Sequence, residues 1–172
     1  MLNRVVIPLL LVLPPVQSAE RTGAAVTVHP LATTAAQKVF QQGGNAVDAA
    51  VAAALTLGVV DGFNSGIGGG CFMLIRKPNG SLVAIDGRET APLKASRDMY
   101  LRGGKADPEL SRTGALAIGV PGALAAYDLA IREHGNIDLA EHLDQAAVIA
   151  EQGFALDNAY LRRLGQVVKK LR

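Results

Sequence analysis

The sequence predicts a layered, mixed helix-and-sheet domain of the α+β class. Helical apolar spacing runs through residues 31–42, 46–57, 123–134 and 139–152. Two apolar runs flank the turn Lys77-Pro78-Asn79-Gly80, the signature of a β-hairpin. The order of elements is too irregular for a purely doubly wound parallel sheet. With 172 residues, 49% hydrophobic and 19% charged, the chain has room for one domain and one sizeable core. Aromatics are scarce (Phe 4, Tyr 3, Trp 0), so Ala, Val, Leu and Ile must fill that core and helices must pack closely.

The chain opens with Arg4, an apolar stretch over residues 5–16 and the small residues Ser18 and Ala19, the order of a secretory signal peptide. Residues 1–18 are read as that leader, with cleavage near Ser18/Ala19 and residues 19–172 as the exported segment, periplasmic or extracellular. The alternative is a retained anchor. Against it, the apolar run falls short of the roughly 20 residues a span requires, and Pro8, Pro14 and Pro15 interrupt it. No stable membrane span is expected after cleavage. A lone Cys71 excludes an internal disulfide and fits a buried thiol.

Residues 24–28 alternate weakly, as a strand would, and the helix that follows ends at Gly43-Gly44. Asn45 is placed as N-cap of the next helix, with Asp48 at its third position facing the exposed amides, a structural role. That helix is apolar on nearly every side, so it belongs between layers. A glycine-dense loop over residues 61–70 then feeds the apolar run 71–75, read as a buried strand, with 81–86 as its return. The exit Asp86-Gly87-Arg88-Glu89-Thr90-Ala91-Pro92 places charged groups where a strand emerges into a loop. Residues 93–112 are polar and mixed, with a short helix expected among loops, and 115–120 read as a strand closed by Pro121-Gly122. Asp138 and Glu141 have capping-box spacing for the helix over 139–152, and Asp157 caps the last one. The cations Arg162, Arg163, Lys169, Lys170 and Arg172 suit the negative end of its dipole.

Composition excludes several functions. Lys+Arg 17 against Asp+Glu 15 leaves +2, and outside the five terminal cations the balance is acidic, so no nucleic-acid surface is present. His29, His134 and His142 lack metal-site spacing, and neither a structural metal nor a cofactor is expected. The glycine loop has Cys71 where a dinucleotide fingerprint needs Gly, precedes a strand, and is not followed by Gly-Lys-Ser/Thr. No Ser-His-Asp arrangement emerges around Ser65 or His29. Arg88 offers a planar fork suited to a carboxylate, or equally a surface or Asp86-paired arginine, and Glu89 beside it could turn inward or pair with a cation.

Four ordered motifs resemble the gamma-glutamyltransferase (glutathione hydrolase) family. They are Gly43-Gly44-Asn45-Ala46-Val47-Asp48-Ala49-Ala50, Gly68-Gly69-Gly70-Cys71-Phe72-Met73-Leu74-Ile75-Arg76, the segment from Asp86 to Pro92, and Gly119-Val120-Pro121-Gly122. The likeness is to the N-terminal part of that family's large subunit. It implies an incomplete N-terminal-nucleophile hydrolase αββα sandwich, cut from a precursor into large and small subunits. It also implies gamma-glutamyl acyl transfer from glutathione and related amides to water, amino acids or peptides, with an N-terminal Thr of the small subunit as nucleophile. By the same resemblance Arg88 binds the substrate α-carboxylate, and Glu89 is carried as a second substrate-binding residue. Thr33, Thr34, Thr56, Thr90 and Thr113 lie in contexts unlike the self-cleavage site, so no catalytic residue is expected in this chain and the isolated segment should be inactive. The expected partners are the small subunit, or remainder of the precursor, and a small-molecule substrate. Two rivals are a non-catalytic homologue that binds glutamate or gamma-glutamyl peptides and a cephalosporin-acylase-like amidase of the same fold.

Overall fold

The structure is a computed structural model and describes residues 23–168. The leader at 1–18 and the cations Lys169, Lys170 and Arg172 lie outside the described residues. Helix α1 (Pro30–Gln41) begins on a proline, whose missing N–H is harmless in a first turn, and His29 Nδ1 accepts the Leu31 N–H at 3.2 Å. Its end is marked by Gly43 at φ +89°, a left-handed conformation that only glycine adopts without strain. Helix α2 (Ala46–Val60) opens with a reciprocal capping box. Asn45 Oδ1 accepts the N–H of Val47 at 2.7 Å and Asp48 at 3.3 Å, while Asp48 Oδ2 accepts the N–H of Asn45 at 2.7 Å.

The uniformly apolar α2 lies at the centre, as its composition requires. On one side Ala49, Ala52 and Ala53 meet Ala32, Ala36 and Val39 of α1. On the other, Val51 and Leu55 meet Ala123, Tyr127 and Ile131 of α3 (Ala123–His134) and Ala146 of α4 (Leu139–Gln152). Alanine at these contacts lets the helix axes approach closely, which replaces the bulk the missing aromatics would supply.

Strands β1 (Cys71–Arg76) and β2 (Leu82–Gly87) form the expected antiparallel hairpin, with Cys71 opposite Gly87 and Arg76 opposite Leu82. Its turn is closed by Lys77 N–H to the Ser81 carbonyl at 2.8 Å, with Gly80 at φ +85°. Met73, Ile75, Val83 and Ile85 face Val47 of α2 and Ala126 and Ala130 of α3. Phe72, Leu74 and Leu82 point away and are 69%, 71% and 61% exposed. β1 is therefore covered on one face rather than buried on both, because the described helices lie on one side of the hairpin only. Helix α5 (Asn158–Val167) is capped by Asp157, which accepts the Tyr160 N–H at 2.7 Å. Tyr160 packs edge-on against Phe63, 5.4 Å between ring centres, and so ties α5 to the glycine loop.

Several expectations are corrected. Residues 24–28 form no strand: no described segment pairs with them, and Val26 and Val28 are exposed. α2 runs to Val60 instead of stopping at 57, since Gly58 is tolerated where the chain of Gly66 passes close by. Residues 93–112 hold no helix; their turns enclose only the two-residue strands β3 (Leu101–Arg102) and β4 (Lys105–Ala106). Residues 115–120 are not a strand. After Gly114 at φ +88° the chain coils into a 3₁₀ turn (Ala115–Ala117), and Val120 alone makes a bridge, to Thr90. Asp138 makes no side-chain capping bond; the approach to α4 is fixed instead by Asp48, described below. No described helix is long and apolar enough to cross a membrane.

Candidate functional site

The turn out of β2 is built by its own side chains and by close backbone approach. Asp86 Oδ1 accepts the Arg88 N–H at 2.9 Å, a short loop-stabilising bond that occupies the aspartate with the backbone rather than the guanidinium. Thr90 and Val120 exchange N–H to carbonyl bonds at 3.2 and 2.8 Å, and the Gly122 and Ala123 N–H groups both bond to the Gly69 carbonyl at 3.2 and 3.1 Å. The glycine loop, the β2 exit and the start of α3 thereby converge. The convergence requires glycine: a Cβ at Gly122 would lie 2.5 Å from the Gly87 carbonyl oxygen, and one at Gly87 2.6 Å from the Ala126 Cβ.

Beneath the glycine loop lies a cleft of about 530 Å³, lined by Asn64, Ser65, Gly68, Gly69, Gly70, Cys71, Glu89 and Tyr127 among others. Glu89 is one-third exposed within this lining, whereas Arg88 stands beside the cleft with its side chain 71% exposed. Arg88 Nε lies 3.5 Å from Glu89 Oε2, so the two predicted site residues are brought together and the Asp86-paired alternative for Arg88 is not adopted. Cys71 is partly rather than fully buried. Burial pushes its thiol above the ordinary 9.0, opposed by a hydrogen bond with the Tyr127 hydroxyl. Burial likewise raises Tyr127, with the neighbouring Cys71 adding to the rise. A thiol held protonated in this way is a poor nucleophile, in line with a packing role.

Asp48 is wholly buried and binds the chain that enters α4. It accepts the Asn136 N–H at 3.0 Å on both oxygens and the Ile137 N–H at 3.1 Å, besides closing its own cap. His142 of α4 is buried alongside, Nε2 3.6 Å from Asp48 Oδ1. This clasp joins the first turn of α2 to the α3–α4 connection, remote from the β2 exit, and agrees with a structural reading of Asp48. Sequence reasoning missed Tyr127 and His142 as neighbours of these groups. Helical spacing held the signal, since Tyr127 shares the buried face of Ala123, Ala126 and Ala130, and His142 lies one turn before buried Ala146.

These elements are those of the N-terminal portion of an N-terminal-nucleophile hydrolase. The solved gamma-glutamyltranspeptidase of Helicobacter pylori superimposes on 89% of the chain with a TM-score of 0.82 at 41% identity, using 44% of its own length. Glutathione hydrolase 2 of Arabidopsis thaliana is 44% identical over 134 residues, and the glutathione hydrolase proenzyme of Escherichia coli 41% over 140. The matches cover 78% and 81% of this chain but 22% and 24% of the relatives, so the chain spans about a quarter of the length of these curated proteins. The family profile described as Gamma-glutamyltranspeptidase matches residues 32–172, and the chain belongs to that family.

Proposed function

We propose that this chain supplies the substrate-reading face of an exported gamma-glutamyl acyl-transfer enzyme, which hydrolyses glutathione and other gamma-glutamyl amides and transfers the acyl group to amino acid or peptide acceptors. The nucleophile is an N-terminal Thr outside these 172 residues. Its hydroxyl attacks the gamma-carbonyl, its own amine takes the hydroxyl proton and passes it to the amide nitrogen, and the C–N bond breaks to release the donor's amine. Water or an acceptor amine then attacks the acyl-enzyme and releases the threonine. The remainder of the precursor supplies that threonine and the donors that stabilise the oxyanion. The chain alone does not turn over, and the leader is removed after Ser18 or Ala19.

Arg88 binds the substrate α-carboxylate through its guanidinium fork. The observation that carries this reading is its position: an exposed guanidinium at the mouth of β2, beside the cleft that Glu89 lines, within a segment inside the family match. Calorimetric titration of the processed protein, this chain together with the remainder of its precursor, with L-glutamate tests it. Arg88→Ala should weaken binding about 10- to 100-fold, as expected for loss of two charge-assisted bonds, and Arg88→Lys should restore only part, because a point charge lacks the fork. Equal affinity in wild type and Arg88→Ala would refute the assignment.

A further inference from the structure

We propose that Glu89 is a positioning residue that holds the Arg88 guanidinium, and that Gly70 makes the seat from which it does so. The proposal rests on the reading of Arg88 as the carboxylate-binding group and deepens it. Among the described residues, Glu89 is the one carboxylate within ion-pair distance of Arg88, and it approaches Nε, the inner nitrogen of the guanidinium. Engagement at Nε leaves both terminal nitrogens free to present a two-pronged fork to a ligand. Asp86, the other nearby acid, is occupied by the Arg88 backbone N–H.

Glu89 can do this only if its carboxylate has room to lie against the glycine loop, and glycines leave that room on two sides. A Cβ at Gly70 would lie 2.7 Å from Glu89 Oε2, 2.9 Å from the Glu89 backbone nitrogen and 2.6 Å from the Gly87 carbonyl oxygen. Two of these three clashes are with backbone, so no side-chain rotation relieves them. A Cβ at Gly69 would sit 3.3 Å from Oε1, and one at Gly119 3.1 Å from the Glu89 Cβ. The side chain thus lies in a space that glycine keeps open between the glycine loop and the Gly119 turn, with its carboxylate 3.5 Å from Arg88 Nε. Gly68 provides the contrast within the same loop, since an added Cβ there meets no atom within 4 Å.

The test is ¹⁵N NMR of the arginine Nε–H groups in the processed protein, this chain labelled and the remainder of the precursor unlabelled, with the Arg88 signal assigned by its loss in Arg88→Lys, for wild type, Glu89→Ala, Gly70→Ala and Gly68→Ala. In wild type and Gly68→Ala the Arg88 Nε–H should resonate away from the free-arginine position and exchange slowly. In Glu89→Ala and Gly70→Ala it should return to that position, and affinity for L-glutamate should fall about tenfold. An Arg88 signal at the free position in wild type, or unmoved by Glu89→Ala, would overturn the proposal. An unmoved signal in folded Gly70→Ala would overturn the seat. Should Gly70→Ala not fold, the Glu89→Ala spectrum decides. If the signal follows Glu89 and Gly70 while L-glutamate fails to bind wild type, the positioning stands and the carboxylate reading of Arg88 falls.

Discussion

Asp48→Ala should be among the most destabilising single changes in this chain, for a reason that can be counted. The carboxylate is fully buried and accepts backbone N–H groups from Asn45, Asn136 and Ile137 at 2.7 to 3.1 Å. Truncation leaves the backbone N–H groups of Asn45, Asn136 and Ile137 without their acceptor at a part-buried site, and each orphaned buried donor costs about 1–3 kcal/mol. Partial collapse and solvation recover some of this, so the expected loss is about 3–5 kcal/mol, a large share of the stability of an ordinary domain. Asp48→Asn keeps the shape and one acceptor oxygen but turns an amide toward N–H donors, and should lose about 2–3 kcal/mol. Urea unfolding followed by helical circular dichroism measures both. A loss below about 1 kcal/mol for Asp48→Ala would show that the clasp does not hold the α3–α4 connection to α2.

Four further outcomes are expected. Gly122→Ala, which would drive a Cβ against the Gly87 carbonyl at 2.5 Å, should destabilise the fold by about 2–3 kcal/mol, while Gly68→Ala should be near neutral; equal effects in urea unfolding would contradict the close-approach geometry. Cys71 should react with iodoacetamide at pH 8 several-fold more slowly than a free cysteine, because burial keeps the thiol protonated above 9.0, and urea should abolish the difference. The folded thiol keeps its proton to higher pH than the unfolded one, so this group's contribution to stability is intact below 9.0 and declines as pH rises past it. Finally, the exposed face of Phe72, Leu74 and Leu82 should make the isolated chain self-associate in sedimentation, and Phe72→Ser with Leu74→Ser should reduce this; a strictly monomeric wild type would contradict it.

Local chemistry made much of this fold legible. Asn45 with Asp48 announced a helix start, Pro78-Asn79-Gly80 a hairpin turn, and Gly43 and Gly135 helix ends, because each of these residues acts on the backbone within a few positions. Segments whose state depends on a distant partner were misread. Residues 24–28 and 115–120 have strand-like composition, yet a strand exists only where a second strand supplies its ladder, and only Val120 finds one, at Thr90. Asp138 and Glu141 had capping-box spacing, but the path into α4 is set from across the fold by Asp48. At the candidate site, the exit of β2 could be located from sequence, while the space that Gly70 and Gly119 leave for Glu89 depends on three loops meeting.

The most direct test of the acyl-transfer reading is the intact mass and terminal peptide map of the native product isolated from its source. The expected result is peptides continuing past Arg172, together with a second, co-purifying fragment that begins with Thr. A product that ends at Arg172 with no Thr-led partner would contradict the reading, because no group able to act as the nucleophile would then be present.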